Sequence, residues 1–172
     1  MLTKIDLCSM ALLKLGEKPI QSLTDDSVGA QLSRTLFEPV SDEVLSIHPW
    51  RFATSDITLT RNTDGDFLIP SDVLRVLSAN GRVVGNRILS DCASTTISAI
   101  VRVAPDLYPA YYVSLLATRL AMEFCVPLLG DQTIFRTLVA LYETQLQTAK
   151  FIDSTTSVSN SINDFSLIDA RF

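Results

Sequence analysis

The sequence has few of the residues that build metal and redox sites. Its 172 residues include one histidine, His48, and three cysteines, Cys8, Cys92 and Cys125, which are widely spaced and form no Cys-x-x-Cys pair. Zinc sites and disulfide frameworks need closely spaced ligands or an even set of cysteines. We therefore expect free, partly buried thiols in a reducing compartment, and neither a metal nor another cofactor.

Charged residues are also scarce. They make up 19% of the chain, whereas hydrophobic residues reach 47%, and the net charge is −5. The apolar content excludes general disorder. The basic residues form no cluster that would neutralise nucleic-acid phosphates, so the composition argues against a sequence-reading DNA or RNA binder. Two interpretations of the low charge remain open: a partner covers apolar surface, or a monomer has a large core.

No segment has the pattern of a membrane span or a secretory leader. The most apolar stretch, residues 107–129, contains Arg119 and Glu123, and charges in mid-membrane are costly. Asp6 and Lys14 interrupt the apolar residues of the first helical pattern, which is untypical of a signal peptide. We expect residues 107–129 to form a buried helix and the protein to have no membrane partner.

Motifs of nucleotide-binding folds and of nucleophilic catalysis are missing as well. His48 has no local partner to orient it as a general base, so we interpret it as a helix-terminal residue that caps the last carbonyl groups. The acids that could pair for glycoside hydrolysis are Asp25, Asp26, Glu38, Asp42 and Glu43. Acids at a helix start and along a solvated face explain them more simply, and we predict that the protein is not an enzyme.

The chain is organised around an amphipathic helix predicted over residues 25–48, where apolar residues recur at spacings of three and four. We expect acids in its first turn, a kink or a break at Pro39, and a stop at Pro49. Trp50 and Phe52 flank the exit of this helix. We predict that both are buried and form a domain-junction core where the helical part meets a β part.

Three further helices are predicted over about 3–16, 107–127 and 131–151, with an antiparallel β meander inserted over about 55–103. Asn80-Gly81 is a strong signal for a type I′ hairpin turn, and Gly85-Asn86 offers a second turn. The predicted fold class is α+β: a four-helix bundle made of two helical hairpins, with the meander between them. Residues 1–153 are expected to form a single domain.

The composition changes at Ser154, where Ser, Thr and Asn become frequent. Such a segment cannot bury enough apolar surface to offset its ordering entropy alone. Yet four large apolar residues follow it: Phe165, Leu167, Ile168 and Phe172. A frayed terminus is the simpler interpretation of residues 154–172, and we favour a docking arm that becomes ordered on a partner.

Three short stretches resemble the tail tubular, or head-to-tail adaptor, proteins of tailed bacteriophages. They are Leu12-Leu13-Lys14-Leu15-Gly16-Glu17-Lys18-Pro19-Ile20, His48-Pro49-Trp50-Arg51-Phe52-Ala53 and Ile69-Pro70-Ser71-Asp72-Val73-Leu74-Arg75-Val76. The likeness continues through the last two helical patterns to about Lys150. These stretches are structural signatures rather than catalytic ones.

The resemblance implies a structural virion protein of a phage or prophage, assembled in the host bacterial cytoplasm. Such an adaptor forms a ring, a dodecamer, beneath the portal and connects the DNA-filled head to the tail. The implied partners are the portal protein, further copies of the chain, and the tail tube, nozzle or another tail protein. DNA passes through without sequence-specific binding. The resemblance also implies that the arm with Phe165, Leu167, Ile168 and Phe172 docks on the portal.

Two other classes of function stay open. Some adaptor-like phage proteins also cleave peptidoglycan, which would make this chain a peptidoglycan hydrolase. An assembly or completion chaperone of the neck would instead leave before the particle matures, and would be absent from purified virions.

Overall fold

The computed structural model describes residues 1–63 and 65–155. Within them it contains four α-helices and six strands: α1 (Lys4–Lys14), α2 (Val28–Ile47), β1 (Thr54–Thr60), β2 (Phe67–Leu68), β3 (Val73–Ala79), β4 (Arg82–Val84), β5 (Arg87–Leu89), β6 (Ser94–Val101), α3 (Ala110–Leu128) and α4 (Gln132–Thr155). Single turns of 3-10 helix, Arg51–Ala53 and Pro105–Leu107, join the strands to the helices. The predicted α+β class is confirmed.

Helix α2 begins later than the sequence predicted. Ser27 is its N-cap, and no acid lies in its first turn. The carboxylate of Asp25 instead accepts hydrogen bonds from the backbone N–H groups of Gln21 and Ser22, at 3.1 and 3.0 Å. The expectation of acids in the first turn is therefore wrong, because Asp25 stabilises the turn that precedes the helix.

Proline does not break α2. The helix continues through Pro39 to Ile47. Phe37, Val40 and Val44 lie around the proline and are buried in the helical core. A break is therefore wrong, because burial of this apolar face on both sides of Pro39 offsets the loss of one backbone hydrogen bond, whereas the alternative of a kink stays a prediction.

Helix α3 is the centre of the helical part. It packs against α1, α2 and α4, and it has buried residues on most of its faces. Helix α4 packs mainly on α3. A central helix with three helical neighbours explains why the sequence of α3 is apolar all round. A regular four-helix bundle stays a prediction.

The strands form two three-stranded antiparallel sheets rather than a meander. The strand orders are β1-β6-β3 and β2-β5-β4. The hairpin predicted at Asn80-Gly81 is wrong, because β3 and β4 belong to different sheets and this dipeptide carries the chain between them. Strands β4 and β5 do pair through Gly85-Asn86, so the second predicted turn is confirmed. Strand β6 pairs with both β1 and β3. These pairings join residues far apart in the chain, so the turn residues near each strand do not predict them.

The first sheet lies between the helices and the second sheet. Its residues alternate between two cores, as the period of a strand requires. Ile100 and Leu74 pack in the helical core, whereas Ile97, Ala99 and Val76 pack with residues of the second sheet. The resulting layers are helices, first sheet and second sheet.

Helix α4 extends through Thr155, past its predicted end at residue 151 and into the first residues of the predicted arm. The side chains of Ser154 and Thr155 donate hydrogen bonds to the carbonyl groups of Phe151 and Ile152, at 2.8 and 3.0 Å. These bonds satisfy carbonyl groups that a helix end leaves without partners. The arm residues Phe165, Leu167, Ile168 and Phe172 lie outside the described residues.

Substitution of Gly81 by alanine is expected to destabilise the fold by about 2–3 kcal/mol. Gly81 has φ of +154°, and an added Cβ would lie 2.6 Å from the carbonyl oxygen of Leu89. Gly85→Ala is the matched control, because Gly85 has φ of +59° and nothing within 4 Å of an added Cβ. Its cost is only that of the left-handed backbone, about 1 kcal/mol. Urea unfolding of both variants measures the difference, and equal losses would contradict it.

Candidate functional site at the helix–sheet junction

The turn after α2 builds an aromatic cluster at the boundary of helices and sheet. Trp50 is fully buried, and its indole Nε1–H donates a 2.9 Å hydrogen bond to the carbonyl oxygen of Val44. The Trp50 ring meets those of Tyr112 and Phe52 at centroid distances of 5.4 and 6.3 Å. Phe52 is half-buried and packs edge-on against Tyr112 at 4.9 Å. These contacts tie the exit of α2 to the start of α3.

A buried carboxylate, Asp153, closes this cluster from α4. Its side chain is 2% exposed. It accepts a 2.7 Å hydrogen bond from the hydroxyl of Tyr111 and two 3.2 Å contacts from the backbone N–H of Arg51. Nε2 of His48 lies 3.4 Å from Oδ2 of the same carboxylate. One side chain near the end of α4 thus holds the start of α3 and both ends of the Pro49-Trp50 turn.

His48 has a different role from the one expected. Its backbone ends α2, but its ring faces Asp153 and packs edge-on against Trp50, with ring centroids 4.7 Å apart. The prediction that its side chain caps the last carbonyl groups of the helix is therefore wrong. The cause is tertiary, since Asp153 comes from a helix more than a hundred residues further along the chain.

The sequence analysis missed Asp153, although its position carries a signal. The side chains of Leu138 and Ala149 are buried on the face of α4 that contacts α3. Asp153 follows Ala149 by four residues and therefore continues the same stripe. A carboxylate in an apolar stripe needs a partner, because burial without hydrogen bonds costs free energy. The sequence prediction instead ends the domain at residue 153, immediately before the arm.

All four tyrosines of the chain have a raised pKa. They are Tyr108, Tyr111, Tyr112 and Tyr142, and burial is the largest cause for each. For Tyr111 the hydrogen bond to the Asp153 carboxylate raises the pKa further, because ionising the phenol would place two negative charges together. The hydroxyls of Tyr108 and Ser41 bond at 3.0 Å, which lowers the pKa of Tyr108, but burial outweighs this effect. Burial is therefore the main reason that these rings stay neutral.

The acids of α2 that were candidates for a catalytic pair contact cations on other elements. Glu38 pairs with Lys4 of α1. Asp42 accepts a 2.9 Å hydrogen bond from Nε of Arg102, which raises the pKa of that guanidinium. Glu43 lies 3.0 Å from Arg119 of α3. These pairs join α2 to three other parts of the fold, which suits a structural role.

The remaining candidates are separate from one another. Asp25 lies in the turn before α2, and Asp26 is exposed beside it. Cys8 and Cys125 are buried and Cys92 is exposed, all as free thiols. No group of three His, Cys, Asp or Glu side chains suited to a metal ion occurs in the part of the chain that the structure describes. None of the helices within residues 1–63 and 65–155 is long and apolar enough to span a membrane.

Two sets of exposed apolar side chains lie on the second sheet and at the end of α4, and others, such as Leu107 and Val126, lie elsewhere on the described surface. Leu68, Val83, Val84 and Leu89 form the first set on the second sheet, and Phe151 and Ile152 form the second on the last turns of α4. The second set lies beside Asp153, at the point where the described chain ends. Exposed apolar side chains that neighbour one another often mark surfaces that a partner covers.

A family model of tail tubular proteins matches residues 5–107. The chain belongs to the tail tubular protein family. It is thus a structural protein of a phage tail, a virion component that associates with other tail proteins. No curated protein matches the chain significantly. The family match ends before α3, so the Asp153 contacts join the matched part of this tail tubular protein to the helices beyond it.

Replacing Asp153 with alanine is expected to destabilise the protein by about 1–3 kcal/mol, because it leaves the part-buried Tyr111 hydroxyl and Arg51 N–H without their acceptor. Tyr111→Phe removes one of these donors and should cost about 1 kcal/mol. Glu143→Ala, at an exposed site on α4, is the control and should stay within about 0.5 kcal/mol. Denaturant unfolding checks the order, and an Asp153→Ala loss no larger than that of Glu143→Ala would contradict it.

Stability is expected to fall as pH rises above about 10, the usual tyrosine pKa. Each folded-state tyrosine pKa lies above its unfolded value, so the stabilisation is complete below that value and is lost at higher pH. Tyrosinate absorbance and far-ultraviolet circular dichroism should therefore change together. Ionisation of most tyrosines with the circular dichroism unchanged would show that the phenols are accessible.

Proposed function

We propose that this tail tubular protein is a head-to-tail adaptor, one subunit of a ring that lies beneath the portal and joins the phage capsid to the tail. The observation that carries the proposal is the family match, which covers α1, α2 and both sheets. The ring, a dodecamer in this proposal, continues the channel through which DNA leaves during ejection. DNA contacts there need no sequence recognition, in agreement with the net charge of −5.

In this proposal residues 1–153 act as one domain, with Trp50 and Phe52 as its junction core. The aromatic contacts of Trp50 and the hydrogen bonds of Asp153 support a single domain with this junction core. They hold the helices and the first sheet in one arrangement. A ring subunit needs such rigidity, because small changes in subunit angle accumulate around a closed ring.

The segment after α4 is proposed to dock on the portal through Phe165, Leu167, Ile168 and Phe172. The fixed position of the last turn of α4 supports this proposal. Asp153 fixes the end of α4 on the helix–sheet junction, so the segment starts from a rigid point. A tethered segment that starts from a fixed point has a high effective concentration at a nearby site. Ring closure would then follow when the portal holds many subunits together.

Native mass spectrometry of the purified protein, alone and mixed with the cognate portal protein, tests the proposal. The wild-type protein is expected to be monomeric or weakly associated alone, and to form a ring-sized complex with the portal. A variant with Phe165, Leu167, Ile168 and Phe172 all replaced by serine should lose portal binding at least tenfold, about 1.4 kcal/mol or more.

The matched control replaces Val158 and Ile162, apolar residues of the same segment outside the proposed docking set, with serine. Its portal binding is expected to stay within about threefold of wild type. Equal losses in both variants would reject the assignment of the four docking residues. Absence of any portal complex with the wild-type protein would reject the adaptor function itself.

A further inference from the structure

A cleft of about 780 Å³ opens between the two sheets. Its lining is largely apolar and includes Val73 and Val76 of β3, Leu68 of β2 and Val83 of β4. Arg75 is the one charged residue among those that line it. Nothing in the assembly function proposed above uses this cleft.

Two strand edges border the cleft. Within the described residues, β3 is the last strand of the first sheet and β4 is the last strand of the second, so each pairs on one side only. An edge strand presents N–H and C=O groups that an extended segment can pair with. Apolar pockets beside such an edge then select alternate side chains of that segment. The cleft therefore suits an extended peptide with apolar residues two positions apart.

The end of α4 and this cleft both contact the C-terminal end of α2. Asp153 contacts His48 at the C-terminal end of α2. Arg75, which lines the cleft, donates a 3.0 Å hydrogen bond to the carbonyl oxygen of Ser46 in the last turn of the same helix. Both features therefore meet at one end of α2. The nine residues from 156 to 164 span up to about 30 Å when extended, about the length of a 20-residue helix such as α2.

The segment that follows α4 has the chemistry the cleft selects. Phe165 and Leu167 are two positions apart, so they point to the same side of an extended chain. Asp164 and Asp169 flank them. Their charge is opposite to that of two arginines near the cleft: Arg75, a lining residue whose guanidinium bonds Ser46, and Arg82 at the start of β4. Arg171, further along, is the one basic residue of the segment.

We propose that residues 164–169 of the same chain occupy this cleft in the free subunit, with Phe165 and Leu167 against Val76 and Val83. The inference goes beyond the proposed portal docking. The same side chains cannot occupy the cleft and a portal at once, so docking on the portal requires their release. A free subunit thereby covers its own apolar residues until a portal is present.

Cysteine cross-linking of the full chain tests the proposal without any portal protein. The test variant carries Val83→Cys and Leu167→Cys, with the exposed Cys92 replaced by serine; Cys8 and Cys125 are buried and stay. The control carries Val84→Cys in place of Val83→Cys. Val83 and Val84 are 45% and 47% exposed, but successive strand residues face opposite sides and only Val83 lines the cleft.

Under mild oxidation the Val83→Cys variant should form an intramolecular disulfide at least about fivefold faster than the control, because docking raises the effective concentration of the two thiols. Peptide mapping by mass spectrometry identifies the bond. Equal rates in the two variants would overturn the proposal. Disulfide-linked dimers from the Val83→Cys variant would also overturn it, by placing the segment in a second copy. A negative portal-binding result leaves this test unaffected.

Discussion

The fold depends on how the chain turns between α2 and β1. Trp50 is buried at this turn, with its indole bonded to Val44 and its ring among those of His48, Phe52, Tyr111 and Tyr112. A buried tryptophan contributes a large apolar area, and aromatic contacts add to it. Because the carboxylate of Asp153 binds the next residue, Arg51, through its backbone, α4 is attached to the same turn. Loss of this turn would therefore remove contacts to α2, α3 and α4 at once.

The protein has two hydrophobic cores around this turn. The larger lies among the helices, and the smaller lies between the sheets. The second sheet has strands of only two or three residues, which are marginal by themselves and depend on packing against the first sheet. Its exposed side is consequently the part of the protein best suited to rearrange or to accept a partner, whereas the helices and the first sheet serve as a rigid support.

Polar contacts also connect the elements of the fold. The ion pairs of Glu38, Asp42 and Glu43 join α2 to α1, to the end of β6 and to α3. Each is partly exposed, so each contributes little stability and mainly fixes relative orientation. Asp153 differs because it is buried and accepts hydrogen bonds from Tyr111 and Arg51. Its contacts fix where the chain leaves α4. That position affects both sites proposed for the following segment, the portal and the cleft between the sheets.

Local sequence determined the elements whose signals are short-range. The α1 capping box of Thr3 and Asp6, the approximate helix positions and the turn at Gly85-Asn86 follow from neighbours within four residues. Residues 12–20, 48–53 and 69–76 also carried the family resemblance. The tertiary structure alone decided the partner of His48, the partners of Asp153 and the place of β6 between β1 and β3. Each joins residues far apart in the chain, and such pairings depend on which surfaces remain to be covered after the local elements have formed.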